Sequence, residues 1–532
     1  MTHTAVLAEL FEAVLAEEPD LPALVQDGRT LSFGDWWAQS AAACSALAEL
    51  GVGRGDIVLL LLPSGRDFAV CYLAAIRLGA VVSAANPRLG PTEIGHIIAR
   101  SAPSAIITDT PARIPTGVRC RVRTPDELRM QGATAASAPR WTAVPEDDPA
   151  VIVWTSGSTG LPKGAWFDHR TLAFIAAEVG PLSAWHDRKL MPIPFAHTAY
   201  MTRVHDQLRH RVALVLTSPV WTADSMLDML TQQRVTVGQG VPTQWEKLIA
   251  LDRLAEADLS CLRLVSTGAS RVPAALVPAL RERLGCAVVV RYASTEVPLA
   301  FGTRIGDPPA TVAHTVGRPL GGAEVEIRTV AGEPAATGRT GRIHLRSRAA
   351  MRGYWQDPEQ TARTIATDGW LTTGDLGRLD AEGNLTIVGR ADDMYIRGGY
   401  NVHPAEVEAA LSAHPRVTRV AVVGAPAPVI GEIGVAFVVA EHDGAQGRLG
   451  AAELQDWCRE RIADYKTPDA VVFVEDLPVN ATYKIDTARL REMAVAATAR
   501  SSMRRPTHRV EDGDRIEVVP PVHDLPIAEC EH

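Results

Sequence analysis

Cysteine, surplus basic charge and long apolar runs are all scarce in this 532-residue chain, and each shortage removes a class of function. The seven cysteines, Cys44, Cys71, Cys120, Cys261, Cys286, Cys458 and Cys530, are scattered without a CxxC pair. An odd, unpaired set indicates neither a disulfide framework nor a zinc site and fits a reducing cytoplasm. Lys and Arg number 53 against 62 Asp and Glu, a formal net charge of -9. Without a cationic surplus to neutralise a phosphate backbone, a nucleic-acid partner is not expected. The longest apolar stretch, near Ile57 to Leu62, is far short of the ~20 residues that cross a bilayer. Glu9, Glu12, Glu17 and Glu18 precede any long apolar run, unlike the basic-then-apolar order of a signal peptide. The expectation is a soluble cytoplasmic protein, monomer or homodimer, with no membrane partner. Internal repeats are also missing.

At this length one hydrophobic core does not suffice, so two or more domains are expected. Leu7 to Leu15 has helical spacing, and Thr30 to Phe33 reads as a short strand. Trp36 to Leu50 is an alanine-rich helix pattern ended by Gly51. Asp56 to Leu62 reads as a buried strand, Asp67 to Leu78 as a helix and Ala80 to Ser83 as a strand; Glu93 to Arg100 and Ala105 to Thr108 repeat the unit. Such alternation predicts an α/β fold, a mainly parallel sheet with helices on both faces. Residues 109 to 149, rich in Pro, Arg, Thr and Ala, read as loop and linker. Past Arg390, a helix over Pro404 to Ser412, strands over Val417 to Val423 and Val435 to Val439, a helix over Ala452 to Ile462 and a strand over Ala470 to Val474 make a compact α+β unit. The segment from Ala499 to His532 is dense in charge and proline and is expected to be a mobile tail.

The chemistry gathers at Thr155 to Gly164, TSGSTGLPKG, directly after the apolar run Ala150 to Trp154. A buried strand breaking into glycines and hydroxyls and then a lysine is the form of a loop that grips polyphosphate. Gly157 and Gly160 leave no Cβ between backbone and anion; Thr155, Ser156, Ser158 and Thr159 offer donors; Lys163 adds positive charge. A Ser/Gly-rich surface turn is the plain alternative. The GxxxxGK[ST] pattern is absent, because Pro162 precedes Lys163 and Gly164 follows it, which disfavours a kinase-like or NTPase loop. Two further strand patterns open into polar loops, at Thr267-Gly268-Ala269-Ser270 and Tyr292-Ala293-Ser294-Thr295-Glu296. Ligands of parallel sheets gather at such carboxyl ends, so these two loops are expected to line one cleft.

With Thr373-Gly374-Asp375, the strand pattern ending at Arg390, Asp392 to Glu408 and Asn480 to Asp486, these stretches occur in an order that resembles the adenylate-forming superfamily. That superfamily contains acyl-CoA synthetases, peptide-synthetase adenylation domains and firefly luciferase; the pattern is most similar to acyl and aryl-CoA ligases over residues 5 to 495. The resemblance implies a large N-terminal domain, 1–391, and a small mobile lid domain, 392–498, followed by the tail 499–532. It implies ATP contacts from the Thr155 to Gly164 loop and from Gly268, Ala269 and Ser270. Tyr292 would stack on adenine, Thr295 would touch the α-phosphate and Glu296 would hold Mg2+. Asp375 and Arg390 would hold the ribose, and Asp392 would be the hinge. Gly398, Gly399 and Tyr400 would line the CoA route, and Lys484 would be the catalytic lysine. His197 falls at the mouth of the acyl site, with Thr198 after it where amino-acid-activating members place an aspartate nearby, which disfavours an amino-acid substrate.

By the same analogy His197, Tyr200, Val241, Trp245, Gly268, Val297 and Pro298 line the acyl pocket. That lining is mostly apolar without a lysine or arginine anchor, and implies a hydrophobic monocarboxylic acid. The implied reaction is adenylation by ATP, rotation of the lid domain, then thioester formation with CoA. Two positions depart from the family's usual glycine, Ala293 and Tyr483. Three other readings follow: transfer to an acyl carrier protein, thioester formation alone from a supplied acyl-adenylate, and a non-catalytic nucleotide-binding regulator.

Overall fold

The computed structural model describes residues 4–133, 141–155, 161–217, 221–329, 331–428, 430–441, 449–480, 483–502 and 515–518. Contacts divide the chain into two units, 1–339 with 343–373 and 379–386, and 340–342 with 374–378 and 387–532. The chain passes between them near residues 339–343 and within the strands Leu371–Leu379 and Leu385–Arg390. The expected boundary at 391/392 lies a few residues beyond this division. Among the described residues no helix is long and apolar enough to cross a membrane.

The first unit contains two large sheets. One has seven strands, ordered Gly353–Tyr354, Gly164–Asp168, Pro149–Trp154, Val81–Ala84, Ile57–Leu61, Ala105–Thr108 and Arg121–Arg123. The last five are mutually parallel. All five residues of Ile57–Leu61 are buried, as expected of a strand covered on both faces. The second sheet has nine strands, and parallel pairs join Ala213–Leu216, Arg188–Met191, Val237–Gly240, Leu264–Gly268 and Ala287–Tyr292. The helix predicted from Trp36 begins at Phe33, because the Ser32 side chain accepts from the Asp35 N–H and satisfies an N-terminal donor.

The linker expected over 109–149 is partly ordered structure. Arg121–Arg123 adds an edge strand parallel to Ala105–Thr108. Pro125–Gly132 is a helix whose first turn is closed by a reciprocal Thr124–Glu127 capping box. The Thr-Pro-Asp-Glu string that builds this cap stands in the sequence, where Pro and Arg richness obscured it.

In the second unit, Val417–Ala427 and Gly431–Ala440 pair antiparallel, and Ala470–Phe473 joins parallel to the latter. Alternate residues face opposite cores. Ala436 and Val438 meet Val407, Leu411 and Leu454 of the helices Pro404–Ser412 and Ala451–Arg459. Val435 and Phe437 meet Leu490 and Ala494 of the helix Thr487–Ser502. The mobile tail assigned from residue 499 needs correction in two places: that helix continues to Ser502, and Arg515–Val518 pairs antiparallel with Ala470–Phe473.

Candidate active site

The strand Pro149–Trp154 delivers Thr155 to the expected phosphate loop. Ser156, Gly157, Ser158, Thr159 and Gly160 lie outside the described residues. The base of the loop is closed by the Thr155 N–H donating to the Lys163 carbonyl at 2.9 Å and by the Lys163 N–H donating to Thr155 Oγ1 at 3.3 Å. His96 Nε2 contacts the Pro162 carbonyl at 3.0 Å, and the Trp355 N–H donates to the Gly164 carbonyl at 2.7 Å. Gly164 is required by packing, since a Cβ there would sit 2.8 Å from the Ile152 side chain. A cavity of about 240 Å³ beside this base is lined by His96, Arg100, Lys163, Tyr354, Trp355 and Asp357 among others.

Glu296 lies in the same unit. Its Oε1 accepts from the Tyr354 hydroxyl at 2.7 Å, and its carbonyl accepts from the Met351 N–H at 2.7 Å. The Lys163 ammonium stands 5.5 Å from the centre of the Tyr354 ring. Burial, and then the charge of Glu296, push the Tyr354 hydroxyl well above its ordinary range, so it remains a donor. Neither Tyr354 nor His96 stood out in the sequence. The signal was the Gly353-Tyr354-Trp355 string, which closes onto the loop-exit strand as an antiparallel bridge, Tyr354 to Ala165.

The strands Leu264–Gly268 and Ala287–Tyr292 run parallel with Gly268 opposite Arg291, and bring the two polar loops to one sheet end. Gly268 has φ +157°, and a Cβ there would overlap the Arg291 carbonyl oxygen. Ala269 follows at φ 63°, a left-handed conformation costly for alanine, and Ser270 is exposed. Tyr292 is half-buried, with its ring centre 6.1 Å from Phe301. A turn in which the Val297 N–H donates to Ser294 Oγ at 3.2 Å, and the Ser294 N–H to the Val297 carbonyl at 3.2 Å, brackets Thr295 and Glu296. Ala293 is exposed in this turn.

His197 caps the short helix Thr198–Met201, its Nδ1 accepting from the Ala199 N–H at 3.2 Å. That bond assigns the ring proton to Nε2 when the imidazole is neutral. Tyr200 is 2% exposed and stacks on Phe195 with ring centres 3.7 Å apart. Val241, Val297 and Pro298 are buried. Trp245 is fully buried, its ring lying over Gly238 and Gly240 and its Nε1 donating to the Ser266 carbonyl at 3.3 Å. Two buried arginines lie in this part of the fold, and one of them contacts a residue of the predicted lining. Arg203 Nη2 donates to the Pro298 carbonyl at 3.3 Å, and Arg291 Nη1 to the Thr303 carbonyl at 2.7 Å. Burial holds both guanidiniums below their ordinary range, Arg291 at about 10. Buried arginines carry no sequence signature that separates them from surface ones.

In the second unit, Asp375, Arg390 and Lys484 come together from positions 109 residues apart. Arg390 Nε lies 4.0 Å from Asp375 Oδ1, and burial, then Arg390, lower the Lys484 ammonium from its ordinary value while Asp375 opposes the shift. A Cβ on Gly374 would stand 2.8 Å from Arg390 Nη2. Lys484 is tied back to Asn480: the Asn480 N–H donates to its carbonyl at 2.8 Å, and its own N–H donates to Asn480 Oδ1 at 3.2 Å. Tyr483, directly before it, has φ 60°. Asp392 lies in the single turn Ala391–Asp393, whose Asp393 pairs with Arg491 at 2.8 Å. Gly398 and Gly399, at φ 56° and 85°, turn the hairpin Tyr395–Arg397 to Tyr400–Val402. Tyr400 is 57% exposed and stacks on Tyr465 with ring centres 4.5 Å apart.

Residues 11–355 match the family described as AMP-binding enzyme, and residues 406–484 match the AMP-binding enzyme C-terminal domain. The chain is 34% identical over 477 residues to a feruloyl-CoA synthase of an Amycolatopsis species, covering 88% of this chain and 94% of that one. It is 31% identical over 474 residues to long-chain-fatty-acid–CoA ligase FadD13 of Mycobacterium tuberculosis, covering 87% and 93%. The crystal structure of ATP-bound MatB from Rhodopseudomonas palustris superposes with a TM-score of 0.83 at 29% identity, covering 91% of this chain and 98% of that one. A match this long, on a fold this similar, means that the chain belongs to the AMP-binding enzymes, the adenylate-forming superfamily close to acyl-CoA ligases.

Proposed function

We propose that this chain is an ATP-dependent carboxylic acid:CoA ligase of the AMP-forming kind, acting in the cytoplasm on a hydrophobic monocarboxylic acid. The observation that carries the reading is the grouping of Lys484 with Asp375 and Arg390 in a chain whose relatives are named CoA ligases.

A carboxylate is a poor acyl donor, because its oxygen leaves badly. In the first step a carboxylate oxygen attacks the α-phosphorus of ATP, a new P–O bond forms and the bond to pyrophosphate breaks, giving acyl-AMP. Two anions must approach, so positive charge and fixed donors are needed where they meet. Lys484 and the Thr295 hydroxyl serve there; the Thr155 to Gly164 loop holds the leaving pyrophosphate. Asp375 accepts from the ribose hydroxyls beside Arg390, and Tyr292 stacks on adenine. A magnesium ion suits Glu296: a lone carboxylate with one oxygen committed to Tyr354 fits a hard cation that takes its other ligands from phosphates and water. Bound there, it would neutralise phosphate charge. In the second step the CoA sulfur attacks the acyl carbon and AMP leaves. The ammonium that served the first step crowds the thiol's route, so rotation about Asp392 removes Lys484 and presents Gly398, Gly399 and Tyr400.

His197, Tyr200, Val297 and Pro298 offer an apolar acyl wall, with Arg203 beside Pro298 as the polar element. A panel of acids in a pyrophosphate-release assay, with CoA, with a holo-carrier protein and with neither, tests the reading. Acid-dependent release with a thioester formed on CoA is expected. Thioester formed only on the carrier would move the acceptor, and strong preference for an amino acid or a dicarboxylic acid would overturn the substrate class.

A further inference from the structure

Tyr354 touches both halves of the expected polyphosphate grip. Its hydroxyl donates to Glu296 Oε1 at 2.7 Å, and its ring lies 5.5 Å from the Lys163 ammonium. The side chain is 7% exposed. An ionised carboxylate can only accept, so the phenol must donate, which fixes the rotation of the Glu296 carboxylate. Of the two oxygens, Oε1 is thereby committed.

The backbone holds this arrangement stiffly. Tyr354 bridges to Ala165, one residue past the loop's closing Gly164, and the next N–H, that of Trp355, donates to the Gly164 carbonyl at 2.7 Å. The Tyr354 N–H donates to Thr361 Oγ1 at 2.9 Å, and Arg352 Nε pairs with Asp168 Oδ2 at 2.6 Å. On the other side, the Met351 N–H donates to the Glu296 carbonyl at 2.7 Å. Gly353, at φ +154°, lets the segment pass Thr361, whose side chain a Cβ would approach to 2.9 Å. Residues 351–355 therefore tie the acidic loop and the phosphate loop into one piece.

We propose that Tyr354 is a positioning residue that holds Glu296 turned toward the cation of a metal–ATP complex while its ring seats Lys163 toward the phosphates. The inference rests on the ATP-dependent reading above. It assigns Tyr354 a metal-dependent role that a purely structural hydrogen bond would lack.

The test is ATP binding by calorimetry to the full chain, in excess Mg2+ and again in EDTA, without acid or CoA. For Tyr354→Phe, affinity in Mg2+ is expected to fall about five- to tenfold, the loss of one charge-assisted hydrogen bond, with affinity in EDTA unchanged. In a Glu296→Gln background Tyr354→Phe should add nothing. Tyr354→Leu, which also removes the ring, should weaken binding in EDTA as well. Equal weakening of Tyr354→Phe in both buffers, or no change in either, overturns the assignment. Failure of the unaltered protein to bind ATP under both conditions would instead remove the ligase reading on which it rests.

Discussion

The guanidinium of Arg390 lies 4.0 Å from the carboxylate of Asp375, and the residue before that aspartate is a glycine over which Arg390 Nη2 passes. A methyl at position 374 would stand 2.8 Å from Nη2, closer than real Cβ contacts come, so the arginine must swing away. Gly374→Ala should raise the KM for ATP about tenfold, roughly 1.4 kcal/mol, with a melting temperature close to that of the parent. An unchanged KM in ATP/pyrophosphate exchange would show that the pair does not serve the nucleotide.

Lys484 is lowered from its ordinary value by burial and by Arg390. Since the ammonium is the useful form, adenylation should fall as pH rises through that lowered value, giving a basic limb below the usual lysine range. Lys484→Ala should cost adenylation roughly two to three orders of magnitude, the scale seen for loss of a charge-stabilising group. Thioester formation from synthetic acyl-AMP should persist. Equal loss in both half-reactions would contradict a lysine that serves only the first.

Tyr483 occupies a left-handed conformation, φ 60°, directly before that lysine. Glycine adopts it freely but loses more entropy on folding, so Tyr483→Gly should change stability by less than about 1 kcal/mol and keep exchange activity. Tyr483→Val places a β-branched residue where it is least tolerated and should cost roughly 2 kcal/mol or displace Lys484. Denaturant midpoints alongside exchange rates decide it; a valine variant as stable and active as the parent would refute the argument.

His169 is 1% exposed, and burial lowers its imidazole from 6.5 to about 4. Between those values the unfolded chain binds a proton that the folded chain refuses, so stability is full above pH 6.5 and is lost as pH falls toward 4. The gap corresponds to roughly 3 kcal/mol at its largest. Urea unfolding at pH 7 and pH 4.5 should show a smaller loss for His169→Gln than for the parent, and parallel losses would refute the assignment.

The order of the elements and the family motifs were legible in the residues themselves. Apolar runs such as Ile57–Leu61 specify buried strands because both faces must be covered. The capped helix Pro125–Gly132 was legible too, through Thr124 and Glu127, once composition was set aside in favour of spacing.

What only tertiary structure decided is which side chains meet. Tyr354 reaches Glu296 across 58 positions because the strand Gly353–Tyr354 pairs with the exit of the phosphate loop, and no local pattern encodes a partner so distant. Trp245 packs its ring over Gly238 and Gly240, whose missing Cβ atoms leave it room, a contact no local pattern encodes. Arg203 and Arg291 carry no local pattern that foretells their burial, which the surrounding elements impose. Periodicity and turn chemistry act over a few residues and so are written in the sequence, whereas burial and electrostatic environment are set by every element that closes around a group.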